Sequence, residues 1–236
     1  MVQKYVTIVT GASRGIGKGI ALRLAKEGHE LMLFGRDKTA LEKVNKEVRV
    51  LGVKTEMFLG DAVDPKFVNE SVSDIIKTYG RVDHLINNAG MGILKKFVDS
   101  NLDEFKKQID VNLYGVYNFT KAVIDNMIAN RKGSIINISS LAGKNAFVGG
   151  TIYGATKHAL MGFTKSLMLE VREYNIRVAA ICPGSVNTDF FIDKDIKPDL
   201  DRILRPEDVA EAVVTIINLP IRALISEIDI RPTNPK

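Results

Sequence analysis

The run Tyr5-Val6-Thr7-Ile8-Val9, followed at once by Thr10-Gly11-Ala12-Ser13-Arg14-Gly15-Ile16-Gly17, decides the architecture. Tyr5–Val9 is a short, β-branched and apolar run of strand type. Glycines at 11, 15 and 17 let the chain turn tightly, and a helical pattern over Gly15–Glu27 starts before the turn is complete. A strand that feeds a helix through such a turn aims backbone N–H groups at one point, where a phosphate is favoured. Gly17-Lys18-Gly19 invites comparison with a P-loop, but the glycine spacing differs and Gly19 stands where Ser or Thr must reach Mg²⁺. A nucleotide site therefore fits better than an ATPase or a plain connection.

Outward from this unit the alternation repeats. Strand candidates follow at Glu30–Phe34, Thr55–Leu59, Val82–Ile86, Ser134–Ile138, Arg177–Ile181 and Glu227–Ile230. Helical patterns cover Thr39–Leu51, Pro65–Tyr79, Leu102–Asn130, Tyr153–Tyr174 and Pro206–Asn218. Gly28, Gly52 and Gly80 sit where helix ends favour a left-handed residue. Ser100 with Asp103 predicts a capping box, and Pro206 suits a first helical turn. Runs such as Ile135-Ile136-Asn137-Ile138 are nearly continuous apolar strands, as a sheet covered on both faces requires. Regular alternation predicts an α/β fold: one doubly wound parallel sheet of about seven strands, with helices on both faces. Residues 1–236 are expected to form a single domain whose ligands bind beyond the carboxyl ends of the strands.

Composition narrows the classes. The chain is 45% hydrophobic and 26% charged, values of an ordinary globular protein rather than a disordered or fibrous one. No apolar run reaches the ~18–20 residues of a membrane span, and the strand-like start leaves no room for a signal peptide. The net charge of +5 is spread among interspersed acidic and basic residues, so no nucleic-acid partner is expected. Cys182 is the only cysteine, which excludes an intrachain disulfide and suits a reducing cytoplasm. His29, His84 and His158 lack metal-ligand spacing, and no metal is expected.

Chemistry should then sit just after the strands. Leu33-Phe34-Gly35-Arg36-Asp37 offers two readings. Gly35 removes an acid that would repel a 2′-phosphate, while Arg36 supplies a guanidinium fork; alternatively, Arg36 is a solvated charge and Asp37 binds ribose hydroxyls. Tyr153 and Lys157 stand at i and i+4 on one helix face, and Ser140 follows an apolar strand thirteen residues upstream of Tyr153. Asn112 lies inside a long helical pattern, where its amide can perturb the hydrogen-bond ladder.

Taken together, Thr10–Gly17, Asn87-Asn88-Ala89-Gly90, Asn112, Ser140, Tyr153-x-x-x-Lys157 and Pro183-Gly184 resemble the short-chain dehydrogenase/reductase family over essentially the whole chain. The resemblance implies an oxidoreductase with a Ser-Tyr-Lys-Asn site. Tyr153 would exchange a proton with the carbonyl or alcohol oxygen, and Ser140, rather than Ser139, would orient that oxygen. Lys157 would hold the nicotinamide ribose, and Asn112 a relay water. An ammonium ~4 Å from the phenol, worth about 4 kcal/mol at an effective dielectric of ~20, would bring Tyr153 into working range.

For the cofactor the resemblance implies Gly11, Ser13, Arg14, Gly15, Ile16, Gly17, Arg36, Asp61, Ala62, Asn88, Ala89, Gly90, Pro183, Gly184, Val186 and Thr188, beside Tyr153 and Lys157. Arg14 and Arg36 point to NADP(H) rather than NAD(H). The segment 187–205, with Phe190, Phe191 and Ile192, is the expected substrate lid. A homotetramer built on Leu102–Asn130 and Tyr153–Tyr174 is implied as well. Body motifs such as Gly162–Leu167 are similar to 3-oxoacyl reductases acting on carrier-bound chains. The end, Ile225–Thr233, lacks their Asp-Gly-Gly tail and is closer to dehydrogenases of small 3-hydroxy acids and alcohols. Arg131, Lys132 and Arg172 are read either as a basic rim near the site that steers an acidic carrier or as helix-end cations. A non-catalytic nucleotide-sensing scaffold would have lost the tyrosine or the lysine; both are present.

Overall fold

A computed structural model describes residues 4–192 and 198–234. Among the described residues are seven strands and seven α-helices, beginning β1 Val6–Thr10, α1 Gly15–Lys26, β2 Glu30–Gly35, α2 Lys38–Val50, β3 Thr55–Leu59, α3 Pro65–Tyr79 and β4 His84–Asn87. The second half holds α4 Leu102–Ile109, α5 Gly115–Asn130, β5 Gly133–Ile138, α6 Thr151–Val171, β6 Ile176–Pro183, α7 Pro206–Ile217 and β7 Glu227–Ile230. The strands form one parallel sheet in the order β3-β2-β1-β4-β5-β6-β7. The order reverses beside β1, so the crevice between the ends of β1 and β4 is the place where this topology opens to a ligand.

Strand periodicity of two explains the packing. Val9, Leu33 and Ile136 point to one face and are covered by Ile20, Leu24, Val44, Val209 and Val213 of α1, α2 and α7. Their neighbours Ile8, Met32 and Ile135 point to the other, against Val72, Phe119, Val123 and Met127 of α3 and α5. Phe119 is fully buried and meets Phe34 edge-on at 4.8 Å. Truncating it to Ala would cost about 3–5 kcal/mol.

Helix ends follow local chemistry. Asp37 caps α2 by accepting from the Ala40 N–H, and Asp64 caps α3 ahead of Pro65. Gly28, Gly52 and Gly80 all take positive φ, between 78° and 85°, as their positions at helix ends predict. The capping box before α4 is shifted by one residue from expectation. Asn101, not Ser100, accepts from the Glu104 N–H, and Glu104 answers the Asn101 N–H. Ser100 instead donates to the Phe97 carbonyl.

The predicted helix Leu102–Asn130 is interrupted in pitch. Asp110–Tyr114 forms a π-turn between α4 and α5, centred on Asn112. Similarly, the helix after Tyr153 ends at Val171, and Arg172–Tyr174 tightens into a 3-10 turn. Arg131 and Lys132 precede β5, and Arg172 precedes β6, so all three lie toward the amino end of the sheet. Arg131 donates to the Glu173 carbonyl, and Lys132 sits 5.0 Å over the Tyr5 ring. They form no rim near Ser140, because in parallel strands the residues before a strand and after it lie at opposite ends.

Candidate active site

Thr10 ends β1 and organises the crevice. Its hydroxyl accepts from the N–H groups of Asn88 and Ala89, both at 2.9 Å, and donates to the Ile86 carbonyl. The Asn88 amide donates back to the carbonyls of Thr10 and Gly11. The glycine turn and the end of β4 are thus one hydrogen-bonded unit. Gly17 faces the Gly11 carbonyl so closely that any Cβ would collide with it, and Gly11 itself has φ 63°. Ile16 packs, partly buried, against the core below. At Arg14 and the first turn of α1 there is neither a capping side chain nor an acidic residue. The first N–H groups of α1 thus lack a side-chain cap, and the positive end of the helix suits an anion.

The second strand delivers Gly35, whose missing side chain has a steric cause: a Cβ would come within 2.6 Å of the Ser13 hydroxyl. Arg36 pairs with Asp61 at 3.2 Å, both partly exposed. Asp61 also accepts from the Val63 N–H, and the Ala62 carbonyl accepts from Asn118. Arg14 stands 3.9 Å from Asp189, another exposed pair.

Further along the sheet, β6 ends at Pro183, and the Gly184 N–H donates to Ile230 of β7 at 2.8 Å. Val186 is buried and bridges to Leu204. Thr188 caps the turn Asp189–Phe191, and its methyl group lies against Gly15. The expected lid 187–205 is described at both ends; its stretch 193–197 lies outside the described residues.

The proton-handling groups meet between the ends of β4 and β5. Ser140 follows β5 and accepts from the Ala142 N–H at 3.1 Å, and its hydroxyl lies on the phenol side, where it favours the Tyr153 phenolate. Ser139 is buried, and its hydroxyl points toward Gly143 instead. Lys157 is buried one turn beyond Tyr153 and donates to the Ile138 carbonyl at 3.0 Å. Its ammonium nitrogen is 5.9 Å from the centre of the Tyr153 ring and close to Gly90. Desolvation pushes the Tyr153 phenol up to about 12, partly opposed by Ser140, and brings the Lys157 ammonium down to about 8. The expected lowering of the phenol by the lysine is therefore not the state of this structure. The ammonium donates to Ile138 instead, and burial sets the phenol.

Asn112 is 1% exposed and fully engaged. Its Oδ1 accepts from the Met91 N–H, while Nδ2 donates to the Met91 carbonyl and to Thr156, each at 2.9 Å. Both amide hydrogens are used, so the side chain has no donor left for a water. Sequence reasoning missed Gln108, which grips Ile93 in the same way. Its only signal is its place one helical turn before Asn112. Cys182 is buried and its thiol is pushed up to about 11, which removes nucleophilic character.

Among the described residues no group of His, Cys, Asp and Glu could hold a metal, and no helix is long and apolar enough to cross a membrane. The short chain dehydrogenase family model matches residues 5–198. The chain belongs to the short-chain dehydrogenase family. An oxidoreductase of Staphylococcus aureus (strain MRSA252) is 34% identical over 227 residues, covering 96% of each chain. An alcohol dehydrogenase from the archaeon Thermococcus sibiricus, complexed with 5-hydroxy-NADP, superimposes with a TM-score of 0.90 at 30% identity, covering 98% of this chain and 97% of its own. A metagenomic short-chain oxidoreductase in complex with NADP gives 0.86 at 34% identity, with 98% and 97% covered. An NAD+-bound xylitol dehydrogenase gives 0.87 at 27% identity, covering 97% of this chain and 98% of its own. This short-chain dehydrogenase is thus an oxidoreductase with a single seven-stranded Rossmann-type sheet.

Proposed function

We propose that residues 1–236 act as one dinucleotide-binding and catalytic unit that reduces a ketone to a secondary alcohol with NADP(H). The observation that carries this is the meeting of Ser140, Tyr153 and Lys157 beside Gly90, at the crevice where the glycine turn and α1 point their N–H groups. The crevice would hold NADPH, whose chemistry there would be hydride supply to the carbonyl carbon. Gly11, Gly15 and Gly17 shape the tight turn whose N–H groups would meet its pyrophosphate; Asp61, Ala62 and Asn88–Gly90 would line its adenosine half; Pro183, Gly184, Val186 and Thr188 would brace its nicotinamide.

The chain's own groups handle the oxygen. With its pKa near 12 the Tyr153 phenol is protonated at neutral pH, the state an acid needs. It donates its proton to the developing alkoxide, while Ser140 donates a hydrogen bond that orients the same oxygen. Lys157, charged below about 8, stabilises the phenolate left behind. The oxidative direction, with a small 3-hydroxy acid or alcohol, would use the same groups with Tyr153 as the base. The substrate class is a compact ketone of the 3-oxoacyl kind, free or carrier-bound, taken up beside Phe190 and Phe191.

Preference for NADP(H) rests on Arg36 and Arg14 at the crevice and on Asp37, whose carboxylate is occupied as the cap of α2. A hydrogen bond to a charged group contributes about 1.5–3 kcal/mol, so Arg36→Ala should lower kcat/KM for NADPH by ~10–100-fold and leave NADH little changed. A panel of 3-oxo esters followed by NADPH absorbance tests the reaction. Equal rates with NADH and NADPH, or an unchanged Arg36→Ala variant, would overturn the cofactor assignment. Replacing Gly35 with Asp is a poorer probe, because the Ser13 contact would be disturbed as well.

Assembly into a homotetramer is part of the same proposal. An apolar groove between α5 and α6 is lined by Leu113, Tyr114, Tyr117, Ala159 and Phe163, with Tyr114 58% and Tyr117 54% exposed. Light scattering that finds only the monomer mass at micromolar concentration would reject it. The lone buried Cys182 fits a cytoplasmic site of action.

A further inference from the structure

Between β4 and the next helix, the segment Met91–Ile93 belongs to no strand, yet its backbone is paired as if it did. The Met91 N–H donates to Asn112 Oδ1 and the Met91 carbonyl accepts from Asn112 Nδ2, each at 2.9 Å. Two residues on, the Ile93 N–H donates to Gln108 Oε1 at 3.0 Å, and its carbonyl accepts from Gln108 Nε2 at 3.5 Å. Gln108 and Asn112 are four residues apart, one above the other on the same helical face. Their amides therefore act as two rungs of a missing neighbouring strand. Gln108 is fully buried, so truncation would leave the Ile93 groups without partners.

Gly92 lies between the two rungs. A Cβ there would come within 2.5 Å of Phe190 Cζ and 3.1 Å of Tyr153 Cδ2. The Phe190 ring centre is 5.9 Å from that of Tyr153 and 5.2 Å from that of Phe191. Gly92 is thus the floor on which an aromatic wall stands beside the phenol. Its height is set from behind, by the side chains that hold residues 91 and 93.

We propose that Gln108 is a positioning residue for substrate selection. Through Ile93 it fixes the Gly92 floor and the seat of Phe190, and so limits the ketone beside Tyr153 to a compact apolar one. This rests on the ketone-reductase reading above. It assigns Gln108 no contact with the reacting atoms.

The test compares ethyl acetoacetate with the bulkier ethyl benzoylacetate, using the full chain and NADPH. Gln108→Met keeps length and removes both hydrogen bonds. It should shrink the preference in kcat/KM for the compact ketone at least tenfold, with NADPH affinity and the pH profile unchanged. Hydrogen exchange of the Ile93 amide should speed up in the same variant. Gly92→Ala should shift the preference the other way, and adding Phe190→Ala should reverse that shift even if Gln108→Met fails to fold. An equal loss on both ketones, or unchanged Ile93 exchange, would overturn the proposal and leave Gln108 as mere core. A wild type that reduces neither ketone nor other 3-oxo esters would overturn the reaction itself, and this proposal with it.

Discussion

The carboxyl and amino ends of the sheet both gather ionisable side chains, but in opposite states. At the carboxyl end, Tyr153 and Ser140 keep part of their surface exposed in front of the buried Lys157, and loops bring the glycine turn alongside. At the amino end, His29, His84 and Tyr5 stack with ring centres 5.1–5.4 Å apart under the strands. His29 shares a hydrogen bond of 2.8 Å with Thr7; neither ring nitrogen of His84 has a partner among the described residues. Burial holds His29 near 4 and His84 well below its ordinary range. The difference is access: a group that must exchange a proton needs one open side, whereas the sealed end keeps its imidazoles neutral.

The largest effect that sharpens the contrast belongs to the open end. Tyr153→Phe should lower kcat by ~10²–10⁴-fold, the usual worth of a positioned acid, with NADPH binding retained. A variant that keeps more than about a tenth of the wild-type kcat would place the acid elsewhere.

At the sealed end the effect is on stability. The folded state holds His29 at about 4, below its ordinary 6.5, so the unfolded chain binds more protons between those values. Stability should therefore fall as pH drops from about 6.5 to about 4, by about 3 kcal/mol at ~1.4 kcal/mol per pH unit. His84 adds in the same direction. Chemical unfolding across that range should show a shallower acid loss for His29→Gln; parallel curves would break the contrast.

A smaller effect returns to the open end. Lys157 loses its charge above about 8, so kcat/KM for reduction should fall about tenfold per pH unit beyond that point. A flat profile to pH 10 would show that the lysine charge is not needed there.

Much of this was legible in the sequence because it follows from local rules. The alternation of apolar strands and helices yields the sheet, and the spacing of Ser140, Tyr153 and Lys157 yields the cluster. What was not legible depends on partners far along the chain. The capping residue moved from Ser100 to Asn101 because Glu104, not Asp103, could reach back. The phenol of Tyr153 stays high because the packing around it takes it out of water, which nothing in its local sequence shows. Gln108 reads as an ordinary helical glutamine until Ile93 is seen against it. The misplaced rim of Arg131, Lys132 and Arg172 came from nearness in sequence to Ser140 and Tyr153, which a parallel strand or a long helix turns into distance.

The π-turn at Asp110–Tyr114 carries a consequence for chain length. A regular helix advances about 100° per residue, and a widened turn holds one residue more than an ordinary one. Removing one residue here would restore an unbroken α-helix without touching any side chain named in the chemistry. The rotation through the turn would stay that of one turn, so α4 and α5 would keep their phase while the residues inside it, Asn112 among them, shift against Met91. Such a deletion should leave the sheet and its cores intact and yet dismantle the substrate floor, so at these five positions the count of residues matters as much as their identity.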